Sequence, residues 1–192
     1  MPVQVDADQR RRIVAEAALR LAVDEGLASV TFRKVAAAAG LNIGSVRHYF
    51  PDHESLVVAA VTEAGDHMGR RLALHPAPGR AAGDAARKHL FDVVAELIPL
   101  DDEKHREAII LMEVIAASRM NSAFEPVVRQ MATDLNAVLV DALEQIGVAD
   151  PRQEAVRLAA LISGLSLNAI TPHGSLDRAT IRAVLHGHIA AL

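Results

Sequence analysis

Apolar residues recur at three- and four-residue spacing along most of the chain, and no stretch alternates as a strand would. The pattern predicts an all-α protein of about nine helices. A first helix is expected over residues 8–25, closed by Gly26, with Ile13, Ala17, Leu19 or Arg20, and Leu21 with Ala22 facing inward. Two short helices lie within 31–50 and a long one over 53–74, where the sequence turns polar from Gly65 onward. The Pro and Gly run over 76–83 reads as a linker. Beyond it, helices are expected over 84–98, 102–118, 125–146, 152–171 and 177–191. Pro99, the Asn121-Ser122 pair, Gly147 with Pro151, and Pro172 with Gly174 separate them. Pro126 falls in the first turn of its helix, where a missing N–H costs nothing.

The stretch over 31–56, TFRKVAAAAGLNIGSVRHYFPDHESL, is the most specific part of the chain. Thr31 can cap the first short helix and Gly40 can adopt the positive φ that ends it. Asn42 can cap the second, Pro51 stops it, and Asp52 caps the helix that follows. Ala36 must be small because the second helix crosses over it, and Val46 plugs the angle between the two. This spacing is a helix-turn-helix. The outer face of its second helix carries Gly44, Ser45, Arg47 and His48, with Tyr49 and Phe50 turned partly back. A glycine near the helix start with an arginine behind it suits close approach to base edges in a major groove.

Composition limits the alternatives. At 192 residues and 51% hydrophobic the chain can bury a sizeable core. No run of about 18 apolar residues is free of charges and breakers, so a membrane span is not expected. MPVQVDADQRRR has no apolar core behind its basic cluster, so neither is a signal peptide, and the expected location is cytoplasmic. The net charge of −4 is unfavourable for a DNA binder. Residues 1–56, however, hold seven basic and seven acidic side chains, and the acidic excess lies in the remainder. Cations gather at the start of the first helix (Arg10, Arg11, Arg12) and around the turn motif. Arg10 to Arg12 read equally well as a solvated first turn or as phosphate contacts.

Thr31-Phe32-Arg33-Lys34-Val35-Ala36, Ala39-Gly40-Leu41, Gly44-Ser45-Val46-Arg47-His48-Tyr49-Phe50 and Glu54-Ser55-Leu56 together resemble the DNA-binding signature of the TetR family of bacterial transcriptional regulators. Arg47 stands where that family most often has Tyr, and His53 where it usually has Lys. The first exchange offers a base-reading guanidinium, the second an imidazole in place of a permanent charge. The resemblance implies a helix-turn-helix DNA-binding domain over 1–52 and a helical ligand-binding and dimerisation domain over 53–192. It implies a repressor that binds a palindromic double-stranded operator as a homodimer and responds to a small-molecule effector, with no cofactor. A helical interaction protein of the same fold, without sequence-specific DNA binding, is the alternative.

The resemblance further implies that Ser45, Arg47 and His48 meet bases, Asn42 with them while it caps the helix, that Gly44 belongs to the DNA-binding face as the bare position of close approach, and that Thr31, Arg33, Tyr49 and His53 hold phosphates together with backbone N–H groups at the start of the next helix. An effector would release DNA by favouring a spacing of the two heads that no longer fits the operator.

In the body, Phe91, Met112, Ala116, Met120, Phe124, Met131 and Leu135 are candidates for an adaptable apolar effector pocket, with Glu113 as a partner for a cationic ligand. Most such positions are ordinarily core, and Glu113 pairs equally well with Arg119. Ala160, Gly164 and Asn168, with Leu167, form a small-residue face on the penultimate helix, and Ile181, Leu185 and Ile189 an apolar face on the last. These are the expected dimer interface, a four-helix bundle between two copies; packing within one chain is the other reading.

No catalytic site is announced. Gly164-Leu165-Ser166-Leu167-Asn168 lacks the final glycine of a nucleophile elbow and lies within a helix. His186 and His188 point to different sides of theirs. Glu63 and His67, four apart, share a face but lack a third metal ligand, so no metal is expected.

Overall fold

The computed structural model describes residues 3–76, 83–174 and 176–192, so most of the expected 76–83 linker lies outside the described residues. Among them are nine α-helices and no strand: α1 (Val3–Glu25), α2 (Phe32–Ala39), α3 (Ile43–Tyr49), α4 (His53–Leu72), α5 (Asp84–Glu96), α6 (Asp102–Ala117), α7 (Glu125–Gln145), α8 (Pro151–Ile170) and α9 (Arg178–Ala190). Short 3-10 turns at Leu27–Ser29 and Ser122–Phe124 precede α2 and α7.

Most boundaries fall within two residues of the sequence pattern, and the larger difference has a local cause. Helix α1 begins at Val3 rather than residue 8, because the residues from 3 to 8 include no helix breaker. Arg10 to Arg12 therefore lie within the helix and not in its first turn. Helix α5 ends at Glu96, two residues before the expected end, since Pro99 disfavours helical geometry at the residue before it. The inward stripe of α1 is also shifted: Val14, Ala17, Ala18 and Ala22 are buried, whereas Ile13, expected inside, is 42% exposed.

The chain forms two compact units, one of Met1–His67 with Ile110–Val128, the other of Met68–Ile109 with Arg129–Leu192. In the first, α1 packs along α2 and α2 along α3. Val30, Val35, Val46, Phe50, Leu56 and Ala60 close the core. In the second, Leu90 and Val94 of α5, Leu139 and Leu143 of α7, Leu158 and Ile162 of α8, and Ile181, Leu185 and Ile189 of α9 form one apolar cluster. Each such side chain stabilises by about 1.5–3 kcal/mol relative to exposure.

The second unit also holds a partly buried ionic network. Arg71, in the last turn of α4, donates two hydrogen bonds to Glu107 of α6, at 3.2 and 2.8 Å. Its Nε lies 3.3 Å from Glu96, which also meets Lys104 at 3.0 Å and His75 at 3.3 Å. Burial by itself would raise the Glu96 carboxyl, but Lys104, His75 and Arg71 outweigh it and hold it below the usual carboxylate range. A carboxyl so lowered contributes stability above its unfolded pKa and loses it as pH falls through its folded value. Between pH 6 and 3 the melting temperature of the protein is expected to fall more steeply than that of a Glu96→Gln variant, the two curves converging in acid. Parallel curves would remove Glu96 from the acid response.

Candidate nucleic-acid interface

The two helices of the motif are set by local hydrogen bonds. Thr31 Oγ1 accepts from the Lys34 N–H at 3.3 Å and Asn42 Oδ1 from the Ser45 N–H at 2.7 Å, each cap stabilising by about 1 kcal/mol. Gly40 closes α2 at φ 66°, a left-handed conformation, with its N–H turned to Ala36 and Ala37 carbonyls. Val46 is wholly buried in the angle, as is nearly all of Ala36. Asp52 Oδ1 accepts from the Ser55 N–H at 2.8 Å while the Ser55 hydroxyl donates to the Asp52 carbonyl, which starts α4.

This geometry turns one face of α3 outward. Asn42, Gly44, Arg47 and His48 are exposed, and Ser45 and Tyr49 are half-buried. Thr31, Arg33 and His53 are exposed beside them. The Arg47 guanidinium lies over the Phe32 ring, 4.9 Å from its centroid, a contact worth about 0.5–1 kcal/mol at an exposed site. Phe32 thus acts as a platform that orders the side chain. The His48 and Tyr49 rings meet edge to face at 5.2 Å. A Cβ on Gly44 would stand 3.2 Å from Asn42 Oδ1, so the glycine keeps the cap uncrowded as well as leaving the helix face bare.

Ile43, which the sequence reading passed over, is 43% exposed on the same face as Arg47, one turn before it. That i, i+4 spacing was available in the sequence. An apolar side chain there suits a thymine methyl group.

Several cations of the head are engaged internally. Arg11 donates to the Tyr49 carbonyl at 3.4 Å and stacks over Phe50 at 4.8 Å. Arg20 reaches the Ala38 carbonyl at 3.5 Å, and Lys34 pairs with Glu25 at 2.5 Å. Arg11 and Arg20 thus lie at the C-terminal ends of α3 and α2, where a cation complements the helix dipole. At the start of α4, Asp52 takes the Ser55 N–H and Glu54 adds a second acid, which works against a phosphate at that terminus.

The residues expected to line one effector pocket are divided. Met112, Glu113, Ala116, Met120 and Phe124 belong to the first unit, and Phe91, Met131 and Leu135 to the second. Met120 is 92% exposed; Glu113 and Ala116 are exposed too, and Phe124 is buried. Phe91 is buried and stacks on His186, ring centroids 3.9 Å apart. A cavity of about 530 Å³ lies elsewhere, in the first unit between α1 and α4, lined by Arg11, Arg12, Phe50, Val58 and Glu63 among others and by none of those eight.

The expected dimer residues separate as well. Ala160, Gly164 and Leu167 lie on an exposed face of α8 with Val156, whereas Ile181, Leu185 and Ile189 are at most 3% exposed and face the protomer's own core. The helical period shows which residues share a face but not which side is covered, so the last three are corrected from interface to core. Asn168 is also held within the chain: its side-chain amide donates to the Gly164 carbonyl at 2.7 Å, and it packs so closely on Gly174 that a Cβ there would overlap it.

Glu63 and His67, set aside in the sequence for want of a third ligand, are joined by Glu16 of α1.

A short helical head whose second motif helix is capped, supported from behind and bare on its outer face defines a helix-turn-helix DNA-binding regulator. Comparison with known proteins is specific. Residues 14–60 match the model for bacterial regulatory proteins of the tetR family, and residues 86–192 that for the C-terminal part of BetI-type transcriptional repressors. The HTH-type transcriptional regulator PksA of Bacillus subtilis is 29% identical over 199 residues, spanning the whole of this chain and 94% of its own. BetI of Burkholderia thailandensis is 32% identical over 176 residues, 88% of this chain and 85% of its own. The crystal structure of a transcriptional regulator from Rhodococcus sp. Rha1 superposes with a TM-score of 0.80 at 25% identity over 94% of each chain. The chain belongs to the TetR family of bacterial transcriptional regulators. It is a DNA-binding regulator and not an enzyme. Among the described residues no helix is long and apolar enough to cross a membrane.

Proposed function

We propose that the protein is a cytoplasmic, effector-controlled repressor that binds a palindromic operator as a homodimer, Arg47, His48 and Ile43 reading bases and Thr31 and Arg33 positioning the head on phosphates. The observation that carries the dimer is an uncovered apolar and small-residue face on α8. Val156 is 64% and Leu167 45% exposed, with Ala160 and Gly164 exposed between them. Small residues let a second helix approach, and the apolar ones around them favour being covered. A two-fold pair of heads is what an operator with two half-sites about 34–36 Å apart requires.

The effector is a small molecule held in the helical body. To relieve repression a hundredfold it must favour the DNA-incompetent state by about 2.7 kcal/mol, an ordinary coupling energy.

Light scattering on the eluting protein tests the dimer. The wild type is expected at twice the 20.5 kDa chain mass. A Val156→Asp, Leu167→Glu double variant is expected at the chain mass with its helical circular dichroism retained, and with operator affinity greatly reduced. A variant that remains dimeric would place the interface elsewhere.

A further inference from the structure

We infer that Glu16, Glu63 and His67 form a binding site for a divalent transition-metal ion, joining α1 to α4 inside the first unit. Glu63 and His67 lie one turn apart on α4, and Glu16 comes from α1, 51 residues before His67. His67 Nε2 is 3.2 Å from Glu16 Oε1 and 3.5 Å from Glu63 Oε1, and one ligand atom from each residue lies within 4.8 Å of the others.

The two distances from His67 match a metal site. Metal–ligand bonds of about 2.0–2.2 Å in tetrahedral geometry place ligand atoms roughly 3.3–3.6 Å apart. Two carboxylates also approach the same imidazole nitrogen, which has one proton or one lone pair to offer. A cation placed among the three can take one ligand atom from each. Exposure is graded appropriately: the Glu63 side chain is 6% exposed, those of His67 and Glu16 25% and 33%. The buried carboxylate anchors the ion while the other two ligands leave a side open to water. Glu63 also lines the 530 Å³ cavity.

One imidazole and two carboxylates select the class of ion. The nitrogen disfavours Mg²⁺ and Ca²⁺, and the absence of thiolates disfavours Cu(I). Zn²⁺ is expected to bind more tightly than Mn²⁺, following the usual order of divalent first-row ions. The geometry also relates the ion to regulation, because α1 braces α2 and α4 leads out of the head. That consequence rests on the regulator reading, but binding of the metal does not.

The test is calorimetric titration of the untagged, chelator-treated full chain with ZnCl₂, MnCl₂ and MgCl₂, beside Glu16→Gln and His67→Gln variants whose thermal melts establish that they fold. The expected result is one Zn²⁺ per chain, weaker Mn²⁺, and no Mg²⁺ binding. Each variant should lose more than the roughly ten- to hundredfold that removal of an outer-shell partner costs. No stoichiometric Zn²⁺ binding, or equal binding by wild type and both variants, would overturn the site. Because the readout involves no DNA, a failed metal site and a failed regulator are told apart.

Discussion

An Arg47→Ala protein is expected to keep its fold and lose roughly ten- to hundredfold in its preference for the operator over random DNA, the discrimination carried by one good base contact of about 1–3 kcal/mol. Its overall affinity at low salt should fall much less. Arg47 is exposed on α3 and touches Phe32 through a surface stack, so removing it leaves the buried Val46 and Ala36 in place. Because the stack holds the guanidinium, Phe32→Leu should show part of the same loss through a less ordered Arg47. Arg33→Ala separates the two kinds of contact. It should weaken specific and random DNA alike and reduce the salt slope by about one per subunit. Competition titrations of specific against random duplex at several salt concentrations read both effects. Unchanged discrimination in Arg47→Ala would remove that side chain from base reading.

Leu185→Ala is expected to destabilise the protein by about 2–5 kcal/mol, the range for truncating a buried leucine. Leu185 is fully buried in the cluster formed by α5, α7, α8 and α9. The loss should lower the melting temperature by roughly 5–20 °C for a chain of this size. Its diagnostic feature is that the deficit relative to wild type holds at low and high protein concentration, because a core contact is lost and not an intersubunit one. The Val156→Asp, Leu167→Glu protein should show the reverse pattern, dissociating with its protomer core intact. A deficit for Leu185→Ala that vanished as protein concentration rose would return Leu185 to the interface.

The contrast between these substitutions shows which features were legible in the sequence. The turn motif was written locally: Thr31, Gly40, Asn42 and Asp52 act on backbone groups within a few residues of themselves. Their spacing therefore carried the bounds of α2 and α3 and the start of α4, and α5 to α9 followed from the helical period and its breakers, whereas the start of α1 did not. Partners distant in sequence were not legible. Arg11 meets Tyr49 from 38 residues away, Arg47 stacks on a phenylalanine of the preceding helix, and Glu16 completes a cluster with two residues of α4. Nothing in a one-dimensional period announces such pairs.

The body was legible in its elements but less so in its faces. Helix α9 has one apolar stripe that serves the protomer, and the outward Val184 is an isolated member of the opposite side. Asn168 resembled one more member of a small-residue stripe, yet the close approach of Gly174 shows that it packs against the connection to α9. The proposed pocket residues illustrate the same limit. Apolar positions on consecutive helices were grouped by character, whereas the fold buries Phe91 and Phe124 in separate units and leaves Met120 in solvent.

The most direct test of the account is selection by the purified protein from a random-sequence duplex library at two salt concentrations. Enrichment of a palindromic site whose half-sites are spaced for two reading helices on one face of the duplex is expected, with binding that weakens as salt rises. Failure to enrich any site at the lower salt would contradict it.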